Sequence, residues 1–537
     1  MLSTMQDRQL GLPLLLRHAH RVNGKSTVIS HGRSTRHVAT FAMVAERAGR
    51  LGSALEHLGY PRGTVVGTFA GSTQEHLEAY LGIPASGRIL HTLNVRLHDD
   101  HLEYIARHAS DEIFIVDGPN LERFCSIAPR LPGMRLLIVA GKDAPDVPPE
   151  LSCDVVLYEE LLLNGTPEID WPEIDEREAA IICYTGGTTG LPKGVAYSHR
   201  SLWLQAMSLC TANAVGMSCE SRLLPAVPLY HVNGWGLPFA ALMAGADLIM
   251  PDHSMRAEHL LALIDEEPPT IAAGVPTIWS DVLDLVRSRG RADLGAVRTI
   301  CCGGAQVSQS LSDAYRSMGI RMVQAWGMTE TSSVSAVATV PRWAQSEEDR
   351  LHYQASQGRV VCGLEVRVAS LEGEVLPSDG TSVGEIHIRG PWVTGRYLGA
   401  DDQSEFQDGW LRTGDVGTVD GDGYVFVADR AKDAVKSGGE WIPSLALEEA
   451  IRNHPAVQDV AVVAIPDPRW QERPGAVVVL RPGHVSTSAE LSEWLRDKVA
   501  RWWIPSLWIF SDSLPRTAVG KIDKRLIRQL IRDGVYS

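Results

Sequence analysis

What this 537-residue chain has little of narrows its function before any motif is considered. Its eight cysteines, at positions 125, 153, 183, 210, 219, 301, 302 and 362, include no Cys-X-X-Cys pair. That argues against a zinc site or a disulfide framework and favours a reducing cytoplasm. No long block of Lys or Arg interrupts a net charge of −15, so a broad footprint for DNA or RNA is not expected and anionic ligands must be held locally. The apolar stretch 10–16 stops at Arg17 and His18, too short for a signal or membrane segment. Repeats and low-complexity tracts are missing as well. The 44% of hydrophobic residues can therefore bury large cores, divided among several lobes.

Apolar runs at 64–69, 112–116, 135–139, 246–250 and 297–301 read as strands, and segments such as 40–58 and 97–108 carry apolar residues at helical spacing. This alternation predicts an α/β fold with predominantly parallel sheets. After Gly384 the texture changes to short strands, with Asp420-Gly421 and Asp422-Gly423 as hairpin signals. A tail then reads as helix 445–453, strands 457–465 and 476–480, and helix 489–502. The expected organisation is a large, multi-lobed N-terminal domain over 1–430 that ends in a small β-rich lobe, followed by a small mobile α/β domain over 431–537.

The most informative run is Tyr184-Thr-Gly-Gly-Thr-Thr-Gly-Leu-Pro-Lys-Gly194, directly after the apolar strand 179–184. Gly186, Gly187, Gly190 and Gly194 let the backbone bring its N–H groups close to a polyanion. Thr185, Thr188 and Thr189 add hydroxyl donors, and Lys193 adds charge. It is not a Walker A loop, because Leu191-Pro192 separates the glycine from the lysine and a glycine follows it. Thr/Gly-rich and ending in Pro-Lys-Gly, it resembles the signature of the adenylate-forming superfamily of acyl-CoA synthetases, firefly-type luciferases and peptide-synthetase adenylation domains. Those enzymes attack the α-phosphate of ATP and release pyrophosphate.

Further segments match that superfamily in order and spacing across nearly the whole chain. In Pro228-Leu-Tyr-His-Val-Asn-Gly-Trp-Gly236 the resemblance places His231 beside the acyl carboxylate and makes Trp235, Gly236 and Gly303 part of the acyl pocket; His231 read by itself is more readily a core histidine. Gly303-Gly304-Ala305 looks like the adenine-side loop. In Gln324-Ala-Trp-Gly-Met-Thr-Glu330 the resemblance implies that Trp326 stacks on adenine beside Gly327, Thr329 contacts phosphate, and Glu330 ligates Mg²⁺ with Thr188; a hard dication held mainly by phosphate oxygens needs only one or two carboxylates. The bland alternative for Glu330 is a helix-capping surface residue. Asp415 and Arg430 are implied at the ribose. Lys432 aligns with the hinge, Lys436, Gly438, Gly439 and Trp441 with the CoA-binding loop, and Lys521 with the C-terminal catalytic lysine, which taken singly is an ordinary solvated Lys. Trp441, the His-Val-Asn-Gly-Trp run and Trp326-Gly-Met resemble the bacterial medium-chain acyl-CoA ligase branch.

The resemblance implies an acid–thiol ligase that joins a hydrophobic carboxylic acid to CoA through an acyl-adenylate, using ATP and Mg²⁺, with a homodimer as the family-level expectation. Two positions depart from the pattern. Gly186 stands where members usually have Ser, and Val519 where they have Thr or Ser. A lost hydrogen bond to a charged group costs roughly 1.5–3 kcal/mol. This opens a second reading, a thioesterification-only ligase fed by a partner adenylating enzyme. A domain that loads a carrier protein, a luciferase-like oxidase and a noncatalytic scaffold are further rivals. No residue chooses between medium-chain, aromatic and bulky polycyclic acids.

Overall fold

The computed structural model describes residues 1, 3–31, 36–141, 151–185, 191–400, 403–516 and 522–536. Through them the chain forms two compact units, 1–364 with 390–404, and 365–389 with 405–537. The 430/431 boundary read from the sequence falls inside the second unit.

In the first unit the apolar runs become strands buried on both faces, as parallel sheets covered by helices require. One seven-stranded sheet runs in the order Asp154–Leu157, Leu136–Ala140, Asp111–Asp117, Val65–Phe69, Ile89–Thr92, Ala179–Tyr184, Gly194–Ser198. Its pairings are parallel except the last, where Gly194–Ser198 returns antiparallel to Ala179–Tyr184. A second sheet sets Thr27–His31, Asp247–Met250, Arg222–Ala226, Ile271–Gly274, Thr299–Cys302 and Arg321–Trp326 side by side and parallel. Helices start where a polar side chain accepts from the first turn: Thr40 from the Met43 N–H, Asp117 from that of Asn120, Ser198 from that of Ser201. The core of the second sheet packs Trp279, Val282, Val286 and Tyr315 against Leu224, Ile249, Ala272 and Ile300.

The second unit begins with antiparallel strands. Glu365–Ala369, Gly384–Arg389, Trp410–Val419 and Tyr424–Arg430 pair in that order, and the Asp-Gly pairs make the expected hairpin, closed by Gly423 N–H to Asp420 O at 3.1 Å. The tail forms a five-stranded sheet in which Val457–Asp467 and Gln471–Leu480 are one long hairpin. The last expected helix is shorter than 489–502: it spans Ser488–Leu495. Beyond it the chain turns so that Val499, Trp503 and Ile504 pack on the tail's core, and the Arg473 guanidinium takes the carbonyls of Trp502 and Ile504 at 2.6 and 3.0 Å. The strand Leu507–Phe510 and the helix Lys524–Arg532 had no counterpart in the sequence reading.

Candidate active site

In a parallel sheet the loops after the C-terminal strand ends share one edge, where ligands of open α/β sheets bind. Here that edge collects the sequence motifs. The strand Arg222–Ala226 leads to His231, Thr299–Cys302 leads to Gly303-Gly304-Ala305, and the neighbouring Arg321–Trp326 leads to Glu330. The Gln324 side chain accepts from the Val307 N–H at 2.7 Å and ties the glycine loop to its neighbour. Trp326 is buried at the end of its strand. Gly327 has no room for a side chain, since a Cβ would stand 1.5 Å from the Ser333 carbonyl oxygen.

Of the phosphate-loop candidates, Gly186, Gly187, Thr188, Thr189 and Gly190 lie outside the described residues, as do Val519 and Lys521. The base of the loop is closed by Thr185 and Lys193. The Thr185 N–H donates to Lys193 O at 2.9 Å, and the Lys193 N–H to Thr185 Oγ1 at 3.1 Å.

A residue that the sequence reading missed joins this base to the acidic segment. The hydroxyl of buried Tyr397 donates to Glu330 Oε1 at 2.7 Å, and the Lys193 ammonium lies 4.6 Å from the centre of the same ring. Its backbone neighbours reinforce the link: Thr394 N–H to Glu330 O at 2.7 Å, and Leu398 N–H to Gly194 O at 2.8 Å. Tyr197 adds another support, its hydroxyl donating to Thr329 O at 2.6 Å. Glu330 is therefore a buried, held carboxylate and not an exposed cap. An acceptor-only oxygen group next to a lysine fits a hard dication carried by phosphate. Among the described residues no cluster of three or more His, Cys, Asp or Glu could cage a metal, so any such ion would depend on the nucleotide for most of its ligands.

The acyl-side motif has an unusual backbone. Five consecutive residues, Val232, Asn233, Gly234, Trp235 and Gly236, have φ of 39°, 41°, 58°, 60° and 69°, a left-handed turn. Each non-glycine residue there costs roughly 1–2 kcal/mol, and such strain persists only where the surroundings impose it. The turn places the half-buried Trp235 indole over Gly303, where a Cβ would be 3.2 Å from the ring. His231, just before it, is exposed and not a core histidine. The protein crowded about it, and next the Arg96 cation, nevertheless hold its pKa below the usual imidazole value, which favours the neutral ring. Gln205 and Ser333 back the turn and were also missed; the one available signal was a glutamine on the buried stripe with Leu202 and Leu209.

In the second unit Asp415 and Arg430 face each other across paired strands, with Arg430 Nη1 2.8 Å from buried Asp415 Oδ1. Lys436 and Trp441 pair across a two-residue hairpin whose turn is Gly438-Gly439, φ 62° and 87°, and the Lys436 ammonium lies 5.2 Å from the Trp441 ring centre. Trp441 is buried against Val416 and Ala434. Lys432 lies at a turn, its carbonyl accepting from Arg528 at 3.1 Å.

Comparison with known proteins gives this constellation its family. Residues 15–398 match the AMP-binding enzyme family, and residues 446–521 match the AMP-binding enzyme C-terminal domain. The chain belongs to the AMP-binding enzymes. It is 37% identical over 536 residues to the 3-methylmercaptopropionyl-CoA ligase of Ruegeria pomeroyi, covering 99% of each chain. It is 36% identical over 538 residues to the medium-chain-fatty-acid–CoA ligase of Ectopseudomonas oleovorans, covering 99% of this chain and 98% of the relative. Its fold superposes on the anthranilate CoA ligase AuaEII in complex with anthranoyl-AMP with a TM-score of 0.78, at 25% identity and full coverage of both chains. This AMP-binding enzyme is an AMP-forming acid–thiol ligase, near the bacterial acyl-CoA ligases. No described helix in it is long and apolar enough to cross a membrane.

Proposed function

We propose that this enzyme is a cytoplasmic ligase for a hydrophobic carboxylic acid that carries out both half-reactions. The acid's carboxylate attacks the α-phosphorus of ATP to give acyl-adenylate and pyrophosphate, and the CoA thiol then attacks the acyl carbon and releases AMP. The joined Glu330, Tyr397 and Lys193 support the reading most, because they set an anchored carboxylate and a cation at the base of a glycine-rich loop. Lys193 with the Thr/Gly loop would bear the phosphate charge, and Lys521 would neutralise charge developing at the α-phosphate. Glu330, with Thr188, would hold Mg²⁺, which when bound screens the triphosphate. Trp326 and the 303–305 loop would take adenine, Asp415 and Arg430 the ribose, and Trp235, Gly236 and Gly303 the acyl group beside His231. For the second half-reaction the chain beyond Lys432 would rotate and bring the Lys436, Gly438, Gly439 and Trp441 hairpin to the pantetheine arm.

The test is ATP–pyrophosphate exchange across straight-chain, aromatic and polycyclic acids, paired with thioester formation from synthetic acyl-adenylates and CoA. Exchange with one class of acid, followed by its thioester, is the expected result. Rapid thioester formation without any exchange would overturn it in favour of the thioesterification-only reading, for which Gly186 and Val519 are the sequence grounds. Turnover with a pantetheine-bearing protein but not with free CoA would make the enzyme a carrier-loading domain.

A further inference from the structure

Gln205 is fully buried on the helix His199–Cys210, and its amide nitrogen donates twice. Nε2 donates to the Trp235 carbonyl at 3.0 Å and to Ser333 Oγ at 2.8 Å, and Ser333 Oγ donates to that same carbonyl at 2.9 Å. The other end of the amide, Oε1, has no hydrogen-bond partner among the described residues and abuts Gly236, 2.0 Å from where a Cβ would be. One side chain thus holds both residues that close the left-handed turn. The start of the turn is held separately, by Asn233 Nδ2 on Thr92 Oγ1 at 2.9 Å.

We infer that Gln205 is a specificity-positioning residue: by holding the end of this turn it keeps Trp235 over Gly303 and so sets how deep an acyl group can reach. The inference rests on the reading of Trp235 and Gly303 as acyl-pocket residues. Left-handed backbone at Val232, Asn233 and Trp235 is disfavoured in isolation, so a Trp235 carbonyl that loses the Gln205 donor, with the amide no longer against Gly236, releases the turn toward right-handed conformations. The indole then leaves Gly303 and the recess deepens. Because Asn233 still anchors the start of the turn, release is confined to Trp235 and Gly236, and the nucleotide side is left as it was.

The test compares Gln205→Met, which keeps length and apolar bulk but has no donor, with Ser333→Ala and Trp235→Ala. For each, kcat/KM is measured for the shortest and the longest acid of one homologous series that the wild-type enzyme activates. Gln205→Met is expected to raise the long-to-short ratio about tenfold, the scale on which apolar pockets discriminate by size, with KM for ATP unchanged. Ser333→Ala also leaves the carbonyl one donor but keeps the Gln205 amide against Gly236, and moves the ratio the same way by less. Should Gln205→Met fail to fold, Ser333→Ala decides. A purely structural glutamine would lower kcat for every acid alike and leave the ratio where it was, which overturns the inference. If Trp235→Ala also leaves the ratio unmoved, the acyl-pocket reading falls with it. A ratio moved by Trp235→Ala alone sinks only the role of Gln205.

Discussion

At the scale of single residues, Tyr397 makes two contacts that can be removed one at a time. Tyr397→Phe keeps the ring beside the Lys193 ammonium and deletes the hydroxyl on Glu330. A hydrogen bond to a charged group is worth roughly 1.5–3 kcal/mol, so pyrophosphate exchange should fall about ten- to a hundredfold and the Mg²⁺ concentration for half-maximal rate should rise. Tyr397→Leu also removes the cation–π contact, worth about 0.5–2 kcal/mol, and should add a rise in KM for ATP that the Phe variant lacks. Equal kinetics for the two variants would mean that the ring does nothing for Lys193. Asp252 supports a prediction about pH. It is buried at φ 52°, accepts from the His31 N–H at 2.7 Å, and burial pushes its pKa up from 3.8 to about 7. With a folded pKa above the unfolded one, the protonated form stabilises the fold below about pH 4, and that stability is lost as pH rises through 7, on the order of a few kcal/mol. Asp252→Asn can still accept from His31 and tolerates the left-handed backbone, and it does not titrate. Its melting temperature relative to wild type should therefore rise between pH 5 and pH 8; a constant difference would show that Asp252 is ionised throughout.

At the scale of elements, legibility followed the source of the ordering. Buried parallel strands announce themselves because both faces are apolar: the run 179–184 is the strand Ala179–Tyr184, and 112–116 lies within Asp111–Asp117. The Asp-Gly hairpin was legible because its backbone demands those residues. Elements made by distant pairing were not. Residues 471–475 contain Arg473 and Pro474 and lack an apolar run, yet they are strand because Val457–Asp467 supplies a partner along their length. Helix 489–502 is shorter than the pattern suggests because Trp502 and Trp503 continue an apolar pattern, whereas the chain bends there to pack the half-buried Trp503 against the tail's core. The candidate site divides in the same way. Its glycines, Trp326 and Glu330 stand in contiguous motifs, but Tyr397, Gln205 and Ser333 act from 67, 30 and 98 residues away from what they touch, and apart from the buried stripe that holds Gln205 no local pattern marks them. The left-handed turn was invisible for a related reason. Only two of its five residues are glycine, and the strain in the others is imposed by Gln205 and Thr92, not by local preference.

At the scale of the whole molecule, the two proposed half-reactions would make different demands on one chain, and Lys432 is where it is proposed to turn between them. Its surroundings confine the turn to a short stretch. On one side the N–H groups of Asp433 and Ala434 both donate to Arg430 O at 2.8 Å. On the other, Arg528 of the helix Lys524–Arg532 donates to the Lys432 carbonyl at 3.1 Å and to Asp433 Oδ1 at 2.8 Å. Arg528 thus fastens Lys432 and Asp433 to the tail's last helix, so that in the proposed rotation the tail would move as a body and its Gly438-Gly439 hairpin would arrive in one orientation. Arg528→Ala removes both contacts and lets the bend spread past Lys432. Adenylation does not need that rotation, so pyrophosphate exchange should be unchanged. Thioester formation from a synthetic acyl-adenylate should slow, about tenfold for the loss of a partly buried charged hydrogen bond, and Arg528→Lys, which restores the charge opposite Asp433, should recover part of it. A variant that slows both half-reactions equally would point to a loss of fold stability, which a melting curve would reveal; one that slows neither would place the pivot elsewhere than Lys432.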